Sequence, residues 1–434
     1  MGYTVMQFGE GNFIRAFFDW MLQKINERTG SDLSVFLVQP IPSGRVRTIL
    51  ASDHYNVLLR GYRGNEFVEQ MDRVEVIRDG MVPGEMDKLL AAASCADLKV
   101  VTSNTTEAGI FYKPCVESLP SSYPAMLARV LEERSSRTLA PLYILPLELI
   151  ENNGDKLKEC VLRHGEDWNY DSKFRDYVED CLFYNTLVDR IVPGYPADEA
   201  EAYFEKLGER DENLVGAELF LLFVIQGNPS ILDVLPFDKA GLNVLVTDNL
   251  PFYRTRKVRI LNGCHTSMVP VGLLAGVDLV KDFVEDGRFA DRVREMIHKE
   301  IVPAFSSAGD REAHTYADDV LIRFRNPALK HNLRDIALNS VSKMNTRLRP
   351  TIEDYKSKFG SLPPVMMGSV AAMCDLYSGG ATVDLPNGPL VLKDFGRMDG
   401  RNLSTMMESF FPGIGDELKE EMASEIGRIR QAGQ

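Results

Sequence analysis

Apolar and polar residues follow two different periods along the chain. Residues 3–8 form a short apolar run that stops at Gly9. Residues 12–26 then carry the helical period, with Phe13, Phe17, Trp20, Met21 and Ile25 on one side. Residues 33–39 (LSVFLVQ) read as a second buried strand ended by Pro40, and 98–102 (LKVVT) as a third, after a helix that closes over 89–93. Residues 142–145, bracketed by prolines, give another. Strands alternating with helices predict a parallel sheet with helices on both faces. Residues 55–67 (YNVLLRGYRGNEF) break this pattern and read as a hairpin turning at Arg63-Gly64-Asn65, which 74–77 continue. After 243–248 (NVLVTD) most segments have the helical period: 257–274, 289–300, 318–324, 333–343, 364–377 and the charged amphipathic stretch 416–431. The boundary falls near 250. Residues 1–250 are expected to form an α/β domain with a small antiparallel insertion, and 251–434 a mainly α-helical domain.

Composition narrows the possible partners. A chain of 434 residues is long for one domain, and each half is large enough to bury its own core. The net charge of −14 argues against a nucleic-acid partner, since phosphate binding needs a basic surface. It leaves an anionic small molecule open, because such a ligand responds to the local field of its pocket. Cys95, Cys115, Cys160, Cys181, Cys264 and Cys374 are dispersed, with no metal-ligand spacing, and read as reduced and intracellular. The first residues carry no signal-peptide pattern, and the greasiest stretch, 219–225, is too short to span a bilayer. A cytoplasmic protein with no membrane partner is expected. Its oligomeric state is not legible.

Candidate chemistry begins at Gly9-Glu10-Gly11, between the first strand and the first helix. The first glycine of a Rossmann turn permits the tight bend, and the second lets the backbone approach a pyrophosphate at the helix N-terminus. The third glycine of GxGxxG is absent, since Ile14 stands there and Arg15 follows, so an ordinary tight turn has the same look. Asn104 and Thr106, after the strand 98–102, can line a nicotinamide-ribose crevice or cap the next helix. No acid closes the second strand. Gln39 stands there and can bond a ribose hydroxyl, while Arg45 can meet a 2′-phosphate, so this chemistry leaves NAD and NADP both open.

The most informative segment is KVRILNGCH, which holds Lys257, Asn262 and His265. On a regular helix, at about 100° per residue, His265 lies roughly 80° and Asn262 about 140° from Lys257. All three can point into one cleft. Alcohol oxidation without a metal needs a base for the hydroxyl proton and a donor for the alkoxide-like oxygen. Lys257 can serve as the base if neighbouring cations such as Arg254, Arg256 and Arg259 lower its pKa. The same three residues also occur as a solvated lysine and an interior histidine on ordinary helices.

Six segments carry a resemblance over nearly the whole chain: QFGEGNFIRAFFDW (7–20), VTSNTTEAGI (101–110), LELIENNGD (147–155), FYNTLVDRIVPG (183–194), KVRILNGCHT (257–266) and NSVSKMNTRLRP (339–350). They resemble the mannitol dehydrogenase family, the polyol-specific long-chain dehydrogenases and reductases. The resemblance implies an α/β Rossmann-type N-terminal domain and a mainly α-helical C-terminal domain for substrate and catalysis. It implies a zinc-independent mechanism with Lys257 as general acid/base, Asn262 at the oxyanion and His265 on the substrate oxygen. Asp189 matches a family active-site aspartate, and Lys343 a substrate-binding position. Gly9, Gly11, Asn12, Phe13 and Arg15, with Asn104 and Thr106, match the nucleotide-binding residues. The QFGEGNFIRAF form of the loop resembles the branch acting on tagaturonate. It implies reversible NADH-dependent reduction of D-tagaturonate to D-altronate, with NAD resting on that branch likeness. A sugar-acid carboxylate needs cations, for which Lys343, Arg347 and Arg63 are candidates. Two departures stand out: Arg254 replaces a family glutamate, which suits a charged substrate, and residues 147–150 lack a family asparagine. A sibling activity on fructuronate or a neutral ketose such as that of mannitol remains open, as does a non-catalytic nucleotide-binding regulator.

Overall fold

Side-chain alternation within residues 5–8 sets the architecture of the N-terminal half. In the computed structural model, which describes residues 2–105, 109–307, 309–378, 382–383, 390–391 and 402–432, strand β1 is Val5–Phe8. Val5 packs with Ile14, Phe17, Met21 and Ile25 of the first helical run, while Met6 and Phe8 pack on the other face with Leu89, Leu127, Leu131 and Leu157. Register carries both layers across the sheet. Val5 pairs with Val35 of β2 (Val35–Val38) and with Val100 of β6 (Val100–Ser103), and Met6 pairs with Phe36 and Val101. Each such side chain contributes roughly 1.5–3 kcal/mol by leaving water.

The chain divides into two compact units, Met1–Leu250 and Pro251–Gln434. In the first, β1, β2 and β6 join β5 (Ile77–Met81), β7 (Tyr143–Pro146) and β8 (Leu182–Phe183) in the order β5-β2-β1-β6-β7-β8, every pair parallel. The chain leaves β1 toward β2 on one side and continues from β6 toward β7 on the other. A crevice therefore opens at the carboxyl ends of β1 and β6, where such sheets bind ligands.

The predicted hairpin is present as β3 (Tyr55–Arg63) and β4 (Glu66–Val74), turning at Gly64 with φ +62. It does not continue over 74–77. Instead the chain departs after Val74, and β5 docks parallel to β2 at the edge of the main sheet. β10 (Val215–Glu218) pairs parallel to β3. A third sheet, formed by β9 (Asn185–Asp189), β11 (Leu222–Gln226) and β12 (Val244–Val246), was not among the elements expected from the sequence.

Among the described residues the second unit is mainly helical. The expected helix 257–274 runs as Leu250–Lys257, then a π-helical turn at Val258–Asn262, then Gly263–Leu274. The expected helix 333–343 is interrupted. Leu333–Ile336 ends early, and Asn339 adopts a left-handed φ of 57 before Ser340–Lys343 begins. Asparagine tolerates that conformation better than most residues. Another π turn, Met344–Leu348, links Ser340–Lys343 to Arg349–Phe359. Among the described residues no helix is long and apolar enough to cross a membrane.

Candidate functional site

Two chemically distinct groups of residues emerge, one in each unit. The first surrounds the turn after β1. Gly9 has φ +104, and a Cβ there would stand 2.7 Å from the Asn104 carbonyl oxygen, so glycine is required twice over. Its N–H donates to the Val38 carbonyl at 3.0 Å, and the Asn104 N–H donates to Phe8 at 3.0 Å, which ties the turn to both neighbouring strands. Gly11 caps the adjoining helical run, with no side-chain cap bond. A Cβ on Gly11 would meet nothing within 4 Å. The helix start thus borders open space at Gly11, the position an anion site takes.

Gly9, Glu10, Gly11, Pro40, Ile41, Asn104, Thr105, Phe111 and Ser122 are among the residues lining a cavity of ≈ 430 Å³ here. Ile41 and Phe111 are 55% and 46% exposed, and a flat apolar ring laid in the cavity would cover them. A dinucleotide fits these residues: a glycine cradle, an uncapped helix start and apolar walls.

Several expected ligands have other work. Arg15 is only 1% exposed. Its guanidinium donates to the Glu10 carbonyl at 3.1 Å, to the Asn12 Oδ1 at 2.7 Å and to the Asn213 carbonyl. It therefore braces the turn from within and has no face toward the cavity. Asn12 is exposed but oriented by that bond, and the Phe13 ring stacks on Phe17 at 4.9 Å. Gln39, expected at a ribose hydroxyl, is buried. Its Nε2 donates to Ile41 at 2.8 Å and Pro42 at 3.2 Å, and its Oε1 accepts from Val46 N–H at 3.4 Å, so it shapes the loop after β2. Thr106 lies outside the described residues.

Sequence reasoning passed over two acids here. Glu10 is buried, and burial raises its carboxyl above the ordinary value, opposed by the Arg45 N–H and Arg15. Glu148 accepts from the Ser103 hydroxyl and from both the N–H and the hydroxyl of Thr105, each at 2.9 Å. Its burial likewise raises its pKa. Glu148 fixes the loop after β6 from beneath. Asp189 is buried at the end of β9. Arg63, offered for a carboxylate, is exposed at the hairpin tip.

The second group sits on two π turns of the C-terminal unit, Val258–Asn262 and Met344–Leu348. The Gly263 N–H reaches back five residues to the Val258 carbonyl, and the Arg349 N–H reaches Met344 in the same way. Such a wide turn rotates less per residue than an α-helix. Asn262, five residues after Lys257, is thereby brought nearer the lysine's face than the 140° of a regular helix. Asn262 and His265 then lie side by side at i,i+3. Lys257 and Asn262 are half-buried, and His265 is buried.

The turns also touch. A Cβ on Gly263 would lie 3.7 Å from the Arg347 carbonyl oxygen. The Arg347 guanidinium donates to the Thr266 hydroxyl at 3.4 Å, and that hydroxyl donates to the Asn262 carbonyl at 2.9 Å. Arg347 is thus joined to the Asn262–His265 helix. Lys343, at the start of its π turn, donates to the Ile336 carbonyl at 2.8 Å.

Two of the arginines expected beside Lys257 have acidic partners of their own. Arg256 pairs with Glu312 at 2.9 Å and stacks on Tyr316, while Arg259 pairs with Asp354. Their charges are largely balanced locally. A residue without any sequence signal joins the group instead: the His331 ring meets that of His265 edge-on at 4.8 Å, with Phe324 at 4.6 Å from His265. Burial, followed by Arg323, lowers the pKa of His331, against Asp335. Among the described residues no three His, Cys, Asp or Glu side chains converge to hold a metal.

Comparison with known proteins covers both units. The mannitol dehydrogenase Rossmann domain matches residues 3–237, and the mannitol dehydrogenase C-terminal domain matches 249–391. An altronate oxidoreductase of Halalkalibacterium halodurans is 41% identical over 387 residues, 86% of this chain and 75% of that protein. Another, of Bacillus subtilis, is 38% identical over 401 residues, 90% and 82% respectively. A solved D-sorbitol dehydrogenase in substrate-free form has a TM-score of 0.85 at 19% identity, over 100% of this chain and 94% of that one. Pseudomonas fluorescens mannitol 2-dehydrogenase, in a ternary complex with NAD and D-mannitol, has 0.73 at 19%, over 100% and 93%. At that identity the solved structures speak to the fold.

Proposed function

Since this chain belongs to the mannitol dehydrogenase family, we propose that it is a nicotinamide-dependent oxidoreductase acting on a CH–OH group, with D-tagaturonate and D-altronate as its substrate pair and NADH as its reductant. The observation that carries the reading is the set Lys257, Asn262 and His265 gathered by one π turn, in a chain whose relatives at about 40% identity are altronate oxidoreductases.

A bound reduced nicotinamide supplies the hydride for the carbonyl carbon. Lys257, as an ammonium, delivers the proton to the carbonyl oxygen and takes it back in the reverse direction. The Asn262 amide donates to that oxygen as charge develops on it, and His265 fixes its position. Arg347, bonded to Thr266 of that helix, and Lys343 are the cations proposed for the sugar-acid carboxylate, and Asp189 is proposed as a further substrate-binding group in the first unit. No metal is required in this scheme. A small sugar acid as partner, with no nucleic acid, is in keeping with the net charge of −14, and unpaired cysteines suit a reducing, cytoplasmic setting.

The test is absorbance at the nicotinamide band with tagaturonate, fructuronate and a neutral ketose, each with NADH and NADPH, before and after chelator treatment. Turnover should be fastest with tagaturonate and NADH and unaffected by chelation. Faster turnover of fructuronate or the ketose would reassign the substrate. Nucleotide binding without turnover of any sugar would make the protein a regulator.

A further inference from the structure

In a dinucleotide-binding sheet the acid that holds the adenosine ribose stands at the end of the second strand. Here Gln39 stands there, and its amide is engaged by Ile41, Pro42 and Val46. A carboxylate nevertheless reaches that strand end from another element. Glu10, the middle residue of the turn after β1, accepts the Arg45 N–H at 3.2 Å. Its Oε1 lies 2.1 Å from where a Cβ on Gly44 would stand, and the Gln39 Cδ lies 2.4 Å from the same point. Any side chain at 44 would displace both groups, so glycine leaves room for the acid beside β2. Glu10 lines the same cavity as Gly9, Gly11 and the exposed Ile41.

We propose that Glu10 replaces the missing strand-end acid, accepting the adenosine ribose hydroxyls and excluding a 2′-phosphate, so that it determines the preference for NAD(H) over NADP(H). The inference rests on the nicotinamide reading above. A 2′-phosphate needs charge-assisted donors and would here meet a like charge. Arg45, the cation that sequence alone offered to such a phosphate, directs its guanidinium to the Glu212 carbonyl and, at 3.3 Å, to the Asn213 Oδ1. The Arg15 guanidinium is likewise engaged and is enclosed.

Direct binding of NADH and NADPH to the full-length protein, followed by nucleotide fluorescence without any sugar, tests this. Glu10→Gln keeps an acceptor for the Arg45 N–H, and Glu10→Ala removes it; thermal melts establish that both fold. Wild type should bind NADH at least about ten-fold more tightly than NADPH, and Glu10→Gln should shrink that ratio at least about five-fold, chiefly by tightening NADPH. Gly9→Ala, which disturbs the shared pyrophosphate turn, should weaken both nucleotides alike. A ratio unchanged in folded Glu10→Gln and Glu10→Ala overturns the inference alone. Wild-type protein that binds neither nucleotide overturns the nicotinamide reading and this inference with it.

Discussion

At the scale of single residues, chemistry is set by the partners each polar group already has. Lys257, Asn262 and His265 stand out in the sequence because their spacing is a motif, and the π turn between them turns Asn262 nearer the face of Lys257 than a regular helix would. Arg15 and Gln39 misled because their partners, the carbonyls of Glu10, Asn213, Ile41 and Pro42, come from backbone geometry that no local pattern encodes. Glu10 passed as the variable residue of a glycine motif, and His331 lies in no motif at all. Lys257→Ala should lower kcat by about 100-fold or more, the usual range for a general acid, while leaving the melting temperature near that of wild type. A variant that keeps a tenth of the activity would deny the lysine its role. Arg347→Ala should raise KM for the keto-acid about ten-fold, as expected for a lost charge-assisted bond, and leave KM for a neutral ketose almost unchanged. Equal changes for both substrates would make Arg347 a brace for Thr266.

At the scale of elements, the turn after β1 and the π turn behind it make opposite demands on sequence. Gly9 is pinned by backbone, whereas Gly11 borders only open space. Gly9→Ala should therefore lower thermal stability by about 1–3 kcal/mol and lose nucleotide binding. Gly11→Ala should melt like wild type yet bind NADH more weakly, because its methyl group would occupy ligand space. If calorimetry shows the two variants equally destabilised, the cradle is misdrawn. Asp19, in the π turn Arg15–Asp19, is fully buried and accepts from Gln7 at 3.3 Å and from Tyr55 at 3.0 Å. Burial pushes its pKa from 3.8 to about 7. With the folded value above the unfolded one, the folded state binds the extra proton between those limits. Stability from Asp19 is complete below the ordinary carboxylate range and is lost as pH rises through about 7. The whole effect is on the order of 4 kcal/mol. Asp19→Asn should flatten the fall in melting temperature between pH 5 and pH 8, and a wild-type profile already flat there would show Asp19 ionised in the fold. None of this was readable in advance: the sequence pattern shows the helix but not the wide turn within it.

At the scale of the whole molecule, the alternating periods exposed the parallel sheet and the helical second half because each element there repeats its burial over several residues. The third sheet stayed hidden. Its strands β9 and β11 are distant in sequence, and the apolar run at 219–225 suits helix or strand equally. NADH alone, at about 100 times its Kd, should stabilise the folded chain by about 2.7 kcal/mol. Hydrogen exchange should then slow around residues 9–13 and 104–105, and slowing confined to Pro251–Gln434 would misplace the nucleotide. The π turns at Val258–Asn262 and Met344–Leu348 carry one more consequence. Each is a single surplus residue held inside a continuous coil, and losing one codon would swing Lys257 or Lys343 by about 100° against the helix beyond it. Natural variants should accordingly tolerate side-chain changes between 257 and 265 except at Asn262, and between 343 and 349 except at Arg347, while insertions and deletions there are purged.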